Sequence, residues 1–249
     1  MEGAGYGALW LGSADSDLTG AEALLDATST LVVATGIVNG WQTDATSLAR
    51  AYQRVAARFG ERFVLGVGTG HREAFQQYEK PYETLSGFVD TLLADGVPAD
   101  RRVLAALGPK VLRLAAERTA GAHPYLVPVE HTRHARAEIG AAPLLAPEHK
   151  VVLDPDPERA RELGRGTVAN PYLGLVNYTN NLRRLGFTDD DLAGTGSDRL
   201  IDAVVAHETP EQVALRLAAH LEAGDHVPVQ FLGDDPLGDA VKLAPALGL

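Results

Sequence analysis

Seven short apolar runs punctuate the chain: GALWLGS (7–13), LVVATGIVNG (31–40), FVLGVGTG (63–70), VLAALG (103–108), AHPYLV (122–127), HKVVLD (149–154) and HVPVQFLG (226–233). Their apolar residues run on continuously instead of alternating, which marks strands covered on both faces, as in a parallel sheet. Helical stretches fill the gaps: DATSLARAYQRVAARFG, YETLSGFVDTLLADG and PKVLRLAAERTAG, then a long series from Asp156 to Gly224. Start and stop signals agree. Asp156 precedes Pro157, Thr209 precedes Pro210 and Glu211, and Gly60, Gly96 and Gly224 follow helix ends. The pattern is a repeated βα alternation, the signature of an α/β fold.

Barrels of alternating strand and helix commonly fill a length of 249 residues as one unit, and no repeat, low-complexity tract or linker divides this chain. One domain over residues 1–249 is expected. The stretch from about 156 to 207 shows helical pattern without a strand and is too long for one crossover, so it reads as an elaboration over the barrel mouth. A closed eight-stranded barrel needs one strand more than the seven found.

Composition narrows the function. A net charge of −11 and a pI near 5.1 offer no basic excess for nucleic acid or anionic lipid. Cysteine is absent, which removes disulfides, thiolate metal sites and a Cys nucleophile. MEGAGYGALW has no basic segment followed by an apolar h-region, and no apolar run reaches membrane-spanning length, so a cytoplasmic protein is expected.

Four places invite chemistry. In RFVLGVGTGH, Gly66, Gly68 and Gly70 fall on one side of a strand, and that bare side suits either close packing or contact with a flat ligand. His71 follows at the carboxyl end, the face of a parallel barrel that carries chemistry; it is a loop residue bonded to solvent or a proton-exchanging imidazole. ATGIVNGW ends another strand, where Asn39 and Trp41 offer an amide and a flat apolar surface, or simple packing. LGPK turns through Gly108 into a helix starting at Pro109, where exposed N–H groups and Lys110 suit a phosphate, although Gly-Pro is also an ordinary turn. His131 and His134, even with His71, His123 and His149, give no metal-ligand spacing, and no GxSxG elbow or dinucleotide fingerprint is present.

Taken in order, GYGALWLG (5–12), VVATGIVN (32–39), RFVLGVGTGH (62–71), AALGPKVLRLAAERTAGAHPYL (105–126), NYTNNLRRLGF (177–187) and GSDRLIDAVVAH (196–207) resemble the luciferase-like monooxygenase superfamily, specifically its deazaflavin (coenzyme F-420)-dependent oxidoreductase branch. The resemblance implies a TIM (β/α)8-type barrel whose first strand and most of whose first helix would precede GYGALW. It implies hydride transfer between an F-420 ring, or alternatively FMN, and a small organic substrate. A non-prolyl cis peptide at Gly36-Ile37 would support the ring, with Thr35, Gly66, Gly68 and Thr69 beside it and its phosphate tail at Gly108, Pro109 and Lys110. His71 stands where relatives place a proton-donating acid, and Ser13 stands where they often place an acidic residue followed by His. Asn39, Trp41 and Tyr178 would shape the substrate pocket, no metal is implied, and family habit implies a homodimer. The rivals are a non-catalytic flavin-binding protein and, with little support, a metal-dependent barrel hydrolase.

Overall fold

The computed structural model describes residues 1–70 and 81–249. Its elements run β1 (Ala8–Leu11), α1 (Thr19–Asp26), β2 (Val32–Thr35), β3 (Val38–Asn39), α2 (Ala45–Phe59), β4 (Phe63–Gly68), α3 (Pro81–Ala94), β5 (Arg102–Leu104), α4 (Pro109–Arg118), β6 (Gly121–Ala122), α5 (Val129–Ile139), β7 (Leu144–Leu145) and β8 (His149–Val152). Then follow α6 (Pro157–Ala169), α7 (Val176–Arg184), α8 (Asp189–Leu192), α9 (Asp198–Val204), β9 (Val205–His207), α10 (Pro210–Leu221), β10 (Val229–Phe231) and α11 (Pro236–Leu243).

The strands pair in parallel throughout the described residues. One sheet has the order β1-β2-β4-β5-β6-β7, with β3 also on β4, and a second has the order β10-β8-β9. The two join where Leu145 passes to His149: the Asp225 N–H donates to the Leu145 carbonyl at 2.9 Å, and the Glu148 N–H to Pro124 at 2.8 Å. This is the barrel-type α/β architecture expected. Among the described residues β1 pairs only with β2 and β10 only with β8.

The helices form for local reasons and are held by burial. Asp44 caps α2 by accepting from the Ser47 N–H, and Gly60 (φ 58°) ends it. Leu48, Tyr52 and Val55 recur at helical spacing and turn inward with Ala49 and Ala51. They meet Leu65, Val67, Leu85 and Val89 in the main core, each such side chain contributing about 1.5–3 kcal/mol on full burial. A second core, including Val168, Leu175, Leu182, Leu200, Ile201 and Val205, lies under the helices after β8.

Three details depart from the sequence reading. The run 31–40 is two strands, Val32–Thr35 and Val38–Asn39, with the cis Gly36-Ile37 peptide between them. The stretch 156–207 is helical to Val204, but Val205–His207 form β9 against Lys150–Val152. A three-residue buried strand that directly continues a helix leaves no change of period to read. The third departure is β7, two residues of the PLL segment that are too short to signal a strand. No helix of the described residues is long and apolar enough to cross a membrane.

Candidate functional site

A cavity of about 740 Å³ opens at the carboxyl ends of the strands. That volume is within the usual range for small-molecule sites, and a parallel barrel carries its ligands at this end. Its floor includes Gly36, Ile37 and Ala105, with Thr69 and Gly70 at the end of the β4 segment. Asn39 and Tyr178 line it too, so Gly36, Ile37, Asn39, Thr69 and Tyr178, five of the residues expected to hold cofactor or substrate, share one cavity.

Thr35, Gly66 and Gly68 lie just behind that floor instead of on it. Thr35 is fully buried, and its hydroxyl both donates to the Gly66 carbonyl and accepts from the Gly66 N–H, each at 2.8 Å. A Cβ on Gly66 would overlap the Thr35 carbonyl, and one on Gly68 would come within 2.8 Å of Ala105 Cβ and 3.1 Å of Ile37. The bare side of β4 is therefore filled by protein. Its glycines let β2 and the Gly36-Ile37 turn sit close, and ligand contact passes to the residues they support.

The Asn39 carboxamide oxygen accepts from the Trp41 N–H at 3.0 Å, which fixes its orientation, while the Trp41 ring is half-buried and outside the cavity lining. Gly108 caps α4 without a side-chain hydrogen bond; Pro109 has no N–H and the Val111 N–H donates to the Gly108 carbonyl at 3.1 Å, so in the first turn the Lys110 N–H is the one left without a backbone acceptor. Lys110 is exposed there, and Gly108, Pro109 and Lys110 sit beside the cavity, not in its lining. An Arg184 Nη lies 3.9 Å from where a Gly108 Cβ would stand and donates to Asn181 at 3.1 Å. Asn181 is buried, with its amide nitrogen unpartnered. His71 lies outside the described residues.

The opposite wall escaped sequence reasoning. Lys150 on β8 has no exposed surface; its ammonium donates to Glu148 at 3.1 Å, to the Tyr125 hydroxyl at 2.8 Å and to the Gln230 carboxamide oxygen at 2.7 Å. Tyr125 also donates to that oxygen at 2.7 Å and accepts from Tyr172 at 3.1 Å. Glu148 completes the set by accepting from the Leu126 N–H at 3.1 Å, holding a left-handed backbone (φ 52°) at a non-glycine residue. Burial pushes the Lys150 pKa down, and Glu148 opposes that shift. Because the Gln230 oxygen already receives two donors, its amide nitrogen faces away from Lys150, and the residue lines the cavity. Tyr172 and Tyr178, rings 5.0 Å apart edge to face, extend this wall, and burial raises the pKa of both.

Trp10 and His123 complete the floor, stacked with centroids 4.3 Å apart. His123, His131 and His149 do not converge: His131 bonds the Leu107 carbonyl, His149 pairs with His220 at 3.1 Å, and no group of three metal-ligating side chains occurs among the described residues. The signals for the polar wall were single polar letters inside apolar runs, Lys150 in HKVVLD and Gln230 in HVPVQFLG.

No family model matches the chain, and neither does any curated protein. Solved structures do. An F420-dependent secondary alcohol dehydrogenase in complex with an F420-acetone adduct superposes with a TM-score of 0.77 at 14% identity, covering 99% of this chain and 92% of its own. The coenzyme F420 dependent tetrahydromethanopterin reductase from Methanopyrus kandleri gives 0.69 at 14% identity, covering 97% and 90%. The long-chain alkane monooxygenase LadA gives 0.64 at 12% identity, covering 99% and 81%. The chain has the fold that these structures share.

Proposed function

We infer that the chain is an oxidoreductase that holds a deazaflavin (F-420) ring, with FMN as the alternative, on the Gly36-Ile37 floor and transfers a hydride to or from a small organic substrate. The observation that carries this reading is the floor itself: a cavity of about 740 Å³ with Gly36 at its base beside the stacked Trp10 and His123 rings, and with Gly66 and Gly68 behind it letting two strands approach. The F420 complex of the alcohol dehydrogenase and the FMN complex of a type II Baeyer-Villiger monooxygenase, both with this fold, support the cofactor class.

A bound ring of this kind supplies a two-electron hydride donor or acceptor. The chain supplies the rest. Ile37, Ala105 and Thr69 set the depth at which a flat group lies, and the Lys110 N–H at the start of α4, with the Lys110 and Arg184 side chains, receives an anionic tail. Asn39, Tyr172, Tyr178 and Gln230 bound the space left for substrate, and the helices after β8 that carry the tyrosines exclude water from it. His71, which follows the cavity-lining Gly70 in sequence, exchanges a proton with the substrate in this proposal.

Titration of the purified protein with F-420 and with FMN tests the reading. Saturable fluorescence quenching by one of them is expected, followed by a change in cofactor absorbance when small alcohols, ketones or other acceptors are screened. Binding with no turnover across such a screen favours a flavin-binding protein without catalysis. Absence of quenching by both coenzymes would sink the proposal.

A further inference from the structure

His123 has a geometry that neither packing nor the roles above account for. Its Nδ1 lies 2.8 Å from the Ala146 carbonyl, and a carbonyl only accepts, so Nδ1 carries the hydrogen. In the neutral ring Nε2 is then a bare acceptor. It has no hydrogen-bond partner among the described residues, although the side chain is only 3% exposed. Desolvation by burial holds the His123 pKa down to about 4, with the Ala146 hydrogen bond opposing the shift, so the lone pair is free at neutral pH.

The direction of that lone pair is constrained. Trp10 covers one face of the imidazole in a stack inclined by 26°, so a partner reaches Nε2 in the plane of the ring. On that side stands Gly36, where a Cβ would be 3.1 Å from Nε2. Both residues line the cavity. The missing side chain at Gly36 is thus a window through which an acceptor faces the floor.

The geometry points to His123 Nε2 as the hydrogen-bond acceptor for the imide N–H of the bound ring, the group flanked by two carbonyls that flavin and deazaflavin have in common. This rests on the cofactor reading above. His123 is a recognition residue here: Ala146 fixes its tautomer, Trp10 its plane, and Gly36 its access. A bound ring covers this acceptor, and an acceptor covered without a donor costs free energy that an imide N–H placed against it avoids.

The test compares FMN with FMN methylated at the imide nitrogen, which cannot donate. Wild-type protein should bind the methylated form about tenfold or more weakly, about 1.4 kcal/mol. His123→Gln, whose amide reaches the Nε2 position, should keep FMN affinity within about threefold, whereas His123→Asn, which replaces only Nδ1, should lose about tenfold and bind the two flavins alike. In the ¹⁵N spectrum the bare Nε2 signal of His123 should move toward the protonated-nitrogen range when FMN is added, a readout that does not depend on turnover. Equal affinity of the wild-type protein for the two flavins, with an unmoved Nε2 signal, would overturn the inference while leaving the cofactor reading intact. Failure to bind either F-420 or FMN would remove both.

Discussion

The floor and the wall of the cavity are built on opposite principles. The floor, from β2, β4 and the Gly36-Ile37 turn, is made by leaving atoms out: glycines let backbone and Thr35 fill the space behind it. The wall, from β8, β10 and the segments after β6 and before β8, is made by burying charge, with Lys150 and Glu148 paired out of solvent and tied to Tyr125 and Gln230. Hydrogen-bonded charge holds side chains in one arrangement only while every partner is present, whereas a glycine-built floor tolerates change until a methyl group arrives. In the proposed function, recognition of a flat ring falls to the first region and orientation of a substrate to the second.

The sharpest way to break that contrast is to unbalance the wall. Lys150→Met leaves the Glu148 carboxylate buried without its cation and should destabilise the fold by about 3–5 kcal/mol in chemical denaturation. Adding Glu148→Gln should recover most of the loss. If the single variant were as stable as the wild type, the buried pair would not be holding the wall.

The floor should respond more mildly in stability and more strongly in binding. Gly66→Ala puts a methyl against the Thr35 carbonyl and should cost about 1–3 kcal/mol by overpacking. Gly36→Ala meets only the tips of His123 and Trp10, so its stability loss should stay under about 1 kcal/mol while cofactor affinity falls about tenfold. Parallel denaturation and quenching titrations separate the two. At the tail end, Arg184→Ala removes an exposed cation, so stability should hold within about 0.5 kcal/mol. FMN binding should weaken by about three- to tenfold, and riboflavin binding, which involves no phosphate, should not change.

The mildest effect is on pH dependence. Burial holds the His220 pKa down to about 4 and that of His149 well below its ordinary 6.5. The unfolded chain therefore binds these protons at a higher pH than the native one does. Stability should be full above about pH 6.5 and fall as the pH drops toward about 4. His220→Gln should flatten that limb in urea midpoints measured between pH 7 and pH 5. An unchanged slope would show that the buried pair does not titrate on unfolding.

The floor was legible in the sequence and the wall was not, for a physical reason. Glycines at alternate positions and a turn before Asn39 leave a local signature, and ATGIVN with GVGTG located the place where strands end together. What the spacing left open was whether the glycines touch ligand or protein, since a bare strand face reads the same in both cases. The structure fills that face with Thr35, Ile37 and Ala105. Lys150 on β8, Gln230 on β10, Glu148 just before β8 and Tyr125 after β6 lie as far as 105 residues apart in the chain, and each alone looks like a solvated polar residue. Their meaning exists only once β8 pairs with β10. His123 was named among scattered histidines, but its stack on Trp10 and its window at Gly36 depend on β1, β2 and β6 coming together.

The central claim is that the glycine-built floor receives a flavin-type ring, and Ala105→Phe addresses it most directly, because this half-buried residue lines the cavity floor. Fluorescence titration with F-420 and FMN should show saturable binding to the wild-type protein and none to the variant, with the two proteins melting within a few degrees of each other. Equal affinity of the blocked and wild-type proteins would place the ring elsewhere and contradict the account.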